Sequence, residues 1–254
     1  MSADHGHHKV TRIDLIRHGE PGGGDVFRGH VNPPLTELGH WQFHERLRRH
    51  ASDWDNIISS PLQRCAEAAD QLSEELNLPL TIADEWMEIH FGEWEGRPVK
   101  EVLAENELQV TQLWADPFAF CAPGGEAFTD FQQRLLNAWN TLLEQHAGKH
   151  ILLVCHGGVI RALTQHLMSL SPEAMSRLSV PYAALLRFKV DQLEYNEEYA
   201  PWVTLEMMDG SVLDRGKLHS PSDIANYTER QQPAHEQQER QLQEQQEQQQ
   251  QQQQ

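Results

Sequence analysis

The apolar residues of this chain fall into short runs that end abruptly at charged or glycine-rich segments. Val10 to Ile16 is one such run, reads as a buried strand, and stops at Arg17-His18-Gly19. His150 to Cys155 is a second, and it stops at His156-Gly157-Gly158. Trp54 to Ser59 and Leu80 to Ile82 read as shorter strands. Segments of helical period lie between. Thr36 stands as the N-cap of a helix whose buried face carries Leu38, Trp41 and Leu47. Ser60-Pro61 predicts another helix start, with Ser60 as cap and Pro61 in the first turn. That helix carries Arg64 and runs through Ala68, Ala69 and Leu72 to Leu76. Val99 to Leu113 reads as one helix, a candidate lid. Phe128 to His146 reads as a long amphipathic helix, and Val159 to Met168 as another. Ala184 to Val190 and Trp202 to Met207 predict a late hairpin at a sheet edge. Glu20 to Leu35, Glu85 to Gly96 and Pro117 to Gly125 are loops, punctuated by Pro and Gly or irregular in pattern.

Composition narrows the picture. The chain has 254 residues, and most of it suits one domain with a real core (10–213). Met1 to Lys9 is polar and His-rich and predicts a disordered arm. From Asp214 the apolar pattern fades, and Gln231 to Gln254 is Gln/Glu-rich; such a tail (214–254) cannot bury enough surface to offset ordering entropy. Thirty-eight acidic against 20 basic residues give a net charge of −18, which repels nucleic acid and anionic lipid as partners. The three cysteines, Cys65, Cys121 and Cys155, are odd in number and far apart. That argues against a disulfide framework and for a reducing compartment. No run approaches the ~20 apolar residues that span a bilayer, so the expectation is a soluble, cytoplasmic protein. Nothing in the sequence signals an oligomeric state.

The two strand ends carry the chemistry. Open α/β sheets bind ligands beyond the ends of their strands, and here those ends hold a cation and two imidazoles. A phosphomonoester carries nearly two negative charges, and its transfer is largely a matter of positioning and electrostatic stabilisation. Arg17 and Arg64 offer planar forks that match phosphate oxygens two at a time. A histidine with one unprotonated nitrogen attacks phosphorus, provided the other nitrogen donates to an oxygen that fixes the tautomer. A second histidine, protonated by the phosphate, adds a positive charge. A carboxylic acid on the opposite side must protonate the leaving alkoxide.

At these residues the chain resembles the histidine phosphatase (phosphoglycerate-mutase-like) superfamily. The match is Leu15-Ile16-Arg17-His18-Gly19-Glu20, Ser59-Ser60-Pro61-Leu62-Gln63-Arg64, Glu88-Ile89-His90-Phe91-Gly92-Glu93-Trp94-Glu95-Gly96 and His156-Gly157-Gly158, four motifs in the family's order. The resemblance covers Thr11 to Val190. It implies an α/β fold, a three-layer sandwich with a mostly parallel central sheet flanked by helices. It also implies roles: His18 becomes phosphorylated, Arg17, Arg64, His156 and Gly157 bind the phosphoryl group, and Glu88 protonates the leaving group and then activates water. No metal and no cofactor are required. Glu85, Glu93 and Glu95 lie near Glu88; Glu93 and Glu95 read as solvated surface carboxylates. Trp86, Trp94, Trp114 and Phe118 read as core or lid packing.

Two departures refine the resemblance. Mutases of the superfamily usually continue Arg-His-Gly-Glu with Ser-x-x-Asn, whereas this chain has Pro21-Gly22-Gly23-Gly24. That stretch, with Phe27-Arg28-Gly29 and Pro34-Leu35-Thr36-Glu37-Leu38-Gly39, is similar to the α-ribazole phosphatase-like branch, which acts in cobalamin synthesis and makes Arg28 a candidate substrate contact. The alternatives are a phosphoglycerate mutase, a sugar-bisphosphate phosphatase, or a non-catalytic scaffold using the Gln-rich tail. Separately, Cys155-His156-Gly157-Gly158-Val159-Ile160-Arg161 fits Cys-x5-Arg and resembles the phosphate loop of cysteine-dependent tyrosine phosphatases. Val154 and Ala162 stand where that family has His and Ser or Thr, and the thiolate reading leaves Arg17, His18 and Arg64 idle. Cys155 then reads as a buried strand residue, and Arg161 as a helix residue in a salt bridge or at the pocket rim.

Overall fold

The computed structural model describes residues 8–195 and 198–214. Residues 1–7 of the expected arm and the Gln/Glu-rich tail from 215 onward lie outside the described residues. The strands are β1 (Lys9–Arg17), β2 (Asn56–Ser59), β3 (Leu80–Ile82), β4 (His150–Cys155), β5 (Leu185–Tyr195) and β6 (Glu198–Asp209). They form one sheet in the order β3-β2-β4-β1-β5-β6. β3, β2, β4 and β1 run parallel; β5 and β6 add an antiparallel edge.

Side chains of β1 and β4 alternate between two cores. Ile13, Leu15, Ile151, Leu153 and Cys155 face one; Ile16, Leu152 and Val154 face the other. Both strands are therefore covered on both faces, as continuous apolar runs require. The first core is packed with α5 (Phe128–Gln145) and α6 (Gly157–Leu167), the second with α1 (Glu37–Arg49) and α2 (Gln63–Leu76). This is the expected three-layer α/β architecture. Two charges interrupt the β1 run: Arg12 is exposed, whereas buried Asp14 accepts two bonds from Arg187 at 2.7 Å and one from Trp54 Nε1 at 2.8 Å.

Thr36 caps α1, its hydroxyl accepting from Gly39 N–H at 3.0 Å. β2 starts two residues later than the sequence reading, the β5–β6 hairpin is longer, and three helices differ from it. α2 starts at Gln63 with no side-chain cap; Ser60 lies before it, its Oγ accepting from Leu62 N–H at 3.3 Å and standing 2.8 Å from His156 Nε2. The segment Val99 to Leu113 is two helices, α3 (Val99–Glu105) and α4 (Glu107–Ala115). Asn106 breaks them with non-helical backbone, and its amide bonds Val102 O. α6 begins at Gly157, two residues early, with His156 as its N-cap. A short helix, α7 (Pro172–Met175), follows it. Trp86 and Trp94 are core, whereas Trp114 and Phe118 are 49% and 37% exposed. No helix among the described residues is long and apolar enough to cross a membrane.

Candidate active site

Pairing of β1 with β4 places Arg17 opposite Cys155, so the next residue of each strand, His18 and His156, emerges at the same sheet end. His18 N–H donates to Cys155 O at 3.0 Å, which ties the two strand ends together. The imidazole rings meet edge to face with centroids 5.2 Å apart.

His18 is buried, and its Nδ1 lies 2.7 Å from Gly19 O, a partner that can only accept. Nδ1 therefore carries the hydrogen and Nε2 keeps its lone pair. Arg64 Nε donates to that Nε2 at 3.3 Å. Burial, then the charges of Arg64 and Arg17, hold the His18 pKa well below its ordinary value, so the ring stays neutral.

Arg64 lies in the first turn of α2 and is almost wholly buried. Its Nη1 and Nη2 donate to Val31 O and Gly29 O, each at 2.8 Å, which aims the guanidinium at His18. Arg17 lies flat over Tyr182, 4.2 Å from the ring centre, and its Nη1 donates to Val180 O at 2.6 Å. Its Nε is buried and without a protein partner. Burial lowers the Arg17 pKa to about 10. His156 is fully buried with Nε2 2.8 Å from Ser60 Oγ, and burial and Arg64 depress its pKa well below normal.

Glu88 closes the other side. Its Oε2 accepts from Gly158 N–H at 2.9 Å, at the start of α6, and its Oε1 from Ile89 N–H at 3.1 Å. A Cβ on Gly158 would stand 2.1 Å from Glu88 Oε1, so only glycine admits the carboxylate here. The charge of Glu88 acts on Arg17, Arg64 and Arg161. Arg28 acts on His18, Arg17 and Arg64; it is anchored to Gly22 O and Gly24 O, with its Nε buried and unpartnered. The structure thus gathers Arg17, His18, Arg28, Arg64, Glu88, His156 and Gly157 at one sheet end.

Several neighbours were not read from the sequence. Glu95 is not a solvated carboxylate: its Oε1 accepts from His30 N–H at 2.8 Å and Phe91 N–H at 3.1 Å, pinning the Arg28 loop to the Glu88 segment. Glu93 is exposed as expected. Tyr182 and Ser60 come from segments whose proximity no local signal reports. Cys155 is fully buried, and burial pushes its thiol pKa well up, so it stays protonated and unreactive.

Comparison with known proteins agrees with this geometry. Residues 13–199 match the family model of the histidine phosphatase superfamily (branch 1). A probable phosphoglycerate mutase of Yersinia pestis, GpmB, is 29% identical over 218 residues, covering 84% of this chain and 97% of the relative. A putative α-ribazole-5'-P phosphatase from Escherichia coli superposes with TM-score 0.64 at 28% identity, over 80% of this chain and 98% of that one. YhfR of Bacillus stearothermophilus gives TM-score 0.68 at 25% identity, over 80% and 98%. With Arg-His-Gly and His-Gly closing adjacent parallel strands, this chain belongs to the histidine phosphatase superfamily, branch 1.

Proposed function

We propose that the protein is a metal-independent phosphomonoesterase that works through a phosphohistidine on His18. The observation that carries this reading is the neutral His18 ring with its Nε2 lone pair held among arginines, one of which, Arg17, has a buried donor awaiting an acceptor. In the first step Nε2 attacks phosphorus and the bond from phosphorus to the ester oxygen breaks. The ring becomes cationic, and Gly19 O, already bonded to Nδ1, shares that charge. Arg17, Arg64, Arg28 and the backbone at Gly157 receive the phosphoryl oxygens, and the dianion draws a proton onto His156. Glu88 gives its proton to the departing alkoxide. In the second step Glu88, now a carboxylate, takes a proton from water. The water oxygen bonds phosphorus, the P–N bond breaks, and inorganic phosphate leaves.

Two candidate substrates are carried by the relatives. The likeness to the α-ribazole-5'-P phosphatase suggests α-ribazole 5'-phosphate, and the likeness to GpmB suggests a phosphoglycerate. The Pro21-Gly22-Gly23-Gly24 turn favours hydrolysis over mutase action.

Trapping with labelled substrate in excess EDTA tests the mechanism. Label is expected on His18 in the wild type and in Cys155→Ser, and on nothing in His18→Ala. Label that follows Cys155, or that vanishes on chelation and returns with one divalent ion, would refute it.

A further inference from the structure

The proposed chemistry leaves one cation beside the pocket without a task. Arg161 lies in the second turn of α6, four residues after Gly157, so the two share a helix face. Helical side chains lean toward the N-terminus, which carries this guanidinium back over Gly157. Arg161 Nη1 lies 3.2 Å from the point where a Gly157 Cβ would stand, and Arg17 Nε lies 3.3 Å from the same point. A side chain at 157 would part the two guanidiniums; glycine lets them stand side by side.

Arg161 is also held for a ligand rather than spent on the fold. Its Nε donates to Leu178 O at 3.1 Å, which orients the plane, and this is its only hydrogen bond among the described residues. The end of the fork, Nη1 and Nη2, is left open. Glu88 is the carboxylate whose charge acts on it, and both Glu88 oxygens are already engaged by backbone N–H groups. The arginines that act most on His18 are Arg64, Arg17 and Arg28, whereas Arg161 acts on Arg17. Arg161 lies over Gly157 and Glu88 over the adjoining Gly158, so Arg161 stands beside the acid. Two half-buried guanidiniums set on either side of one glycine repel, and an anion between or beside them offsets that repulsion.

We infer that Arg161 binds a carboxylate on the leaving group, near the ester oxygen that Glu88 protonates, and so selects acidic phosphomonoesters over neutral ones. An open arginine fork matches one carboxylate in two parallel bonds. This inference rests on the phosphohistidine reading and chooses between its two candidate substrates. A phosphoglycerate carries the required carboxylate; the leaving alcohol of α-ribazole 5'-phosphate is a neutral nucleoside.

The test compares 3-phosphoglycerate with glycerol 3-phosphate, which differ by a carboxylate against a hydroxymethyl group. Both are measured as competitive inhibitors of p-nitrophenyl phosphate hydrolysis, so each gives an affinity whether or not it turns over. Wild type is expected to bind 3-phosphoglycerate more tightly. Arg161→Gln is expected to shrink that preference by about tenfold, and Arg161→Lys to restore part of it. Misfolded protein cancels from a ratio of inhibition constants, so a folding defect does not mimic the result. A wild type without preference, or an Arg161→Gln ratio within roughly twofold of wild type, would overturn the inference. Absence of label on His18 from p-nitrophenyl phosphate would instead overturn the phosphohistidine reading on which it stands.

Discussion

His18 owes its reactive form to a carbonyl one residue away and an arginine brought in from α2. The proposed nucleophile, phosphoryl receptors and acid are separable side chains, and each can be removed alone. Glu88→Gln keeps the side chain's size and one of its two accepted backbone hydrogen bonds, and loses the proton. Turnover of alkyl phosphates is expected to fall roughly 10²–10⁴-fold, while p-nitrophenyl phosphate, whose leaving group needs no proton, falls far less. Equal losses on both esters, in steady-state kinetics, would remove Glu88 from the acid role. Residues at the ends of apolar runs, Arg17, His18 and His156, were legible because strand and motif coincide there. Glu95 and Ser60 were misread for the opposite reason. Locally one looks like a surface acid and the other a helix cap, and only their distant partners, His30 and His156, give them their work.

At the scale of elements, α6 brings the proposed phosphate-binding residues and the proposed acid together. Its first residue, Gly157, lies against Arg17 and Arg161, and the N–H of its second, Gly158, binds Glu88. The sequence reading started this helix at Val159 because paired glycines look like a break. Here they are glycines for close approach: Arg17 and Arg161 crowd one and Glu88 the other. Gly158→Ala separates the two roles of this turn. Alanine suits a helix better than glycine by about 1 kcal/mol, so the melting temperature is expected to hold or rise. The new methyl group displaces the Glu88 carboxylate, the end of a flexible side chain, and activity on alkyl phosphates is expected to drop about 10²-fold. Parallel loss of melting temperature and activity would mean that the glycine serves the fold instead. The division at Asn106 was hidden because Val102, Val110 and Leu113 keep helical spacing on either side of it.

For the whole molecule, burying neutral imidazoles sets the response to acid. Burial holds His18 and His156 well below the ordinary histidine pKa, and His44 is pushed down to about 4. On unfolding each regains its usual value near 6.5 and takes up a proton that the folded state refuses. Stability is therefore expected to be full above pH 6.5 and to decline below it, by about 1.4 kcal/mol per pH unit for each such histidine. Urea unfolding followed between pH 7.5 and pH 5 reads this directly; a midpoint that is flat or rises toward acid would contradict it. The α/β class was legible from alternating runs, and so was a hairpin at one edge. The strand order was not, because β4 enters between β1 and β2 through contacts that local patterning does not encode.

That order has a consequence in time. β1 precedes the other described strands in the sequence, yet its two sheet neighbours are β4 and β5, which come after more than half of the 254 residues. Buried Arg46 then joins Ala183, whose N–H donates to His18 O, to Ser211 and Asp209 near the last strand's end. A nascent chain thus leaves His18 without the neighbours that hold it until β6 has been made, so the candidate site is completed late in synthesis.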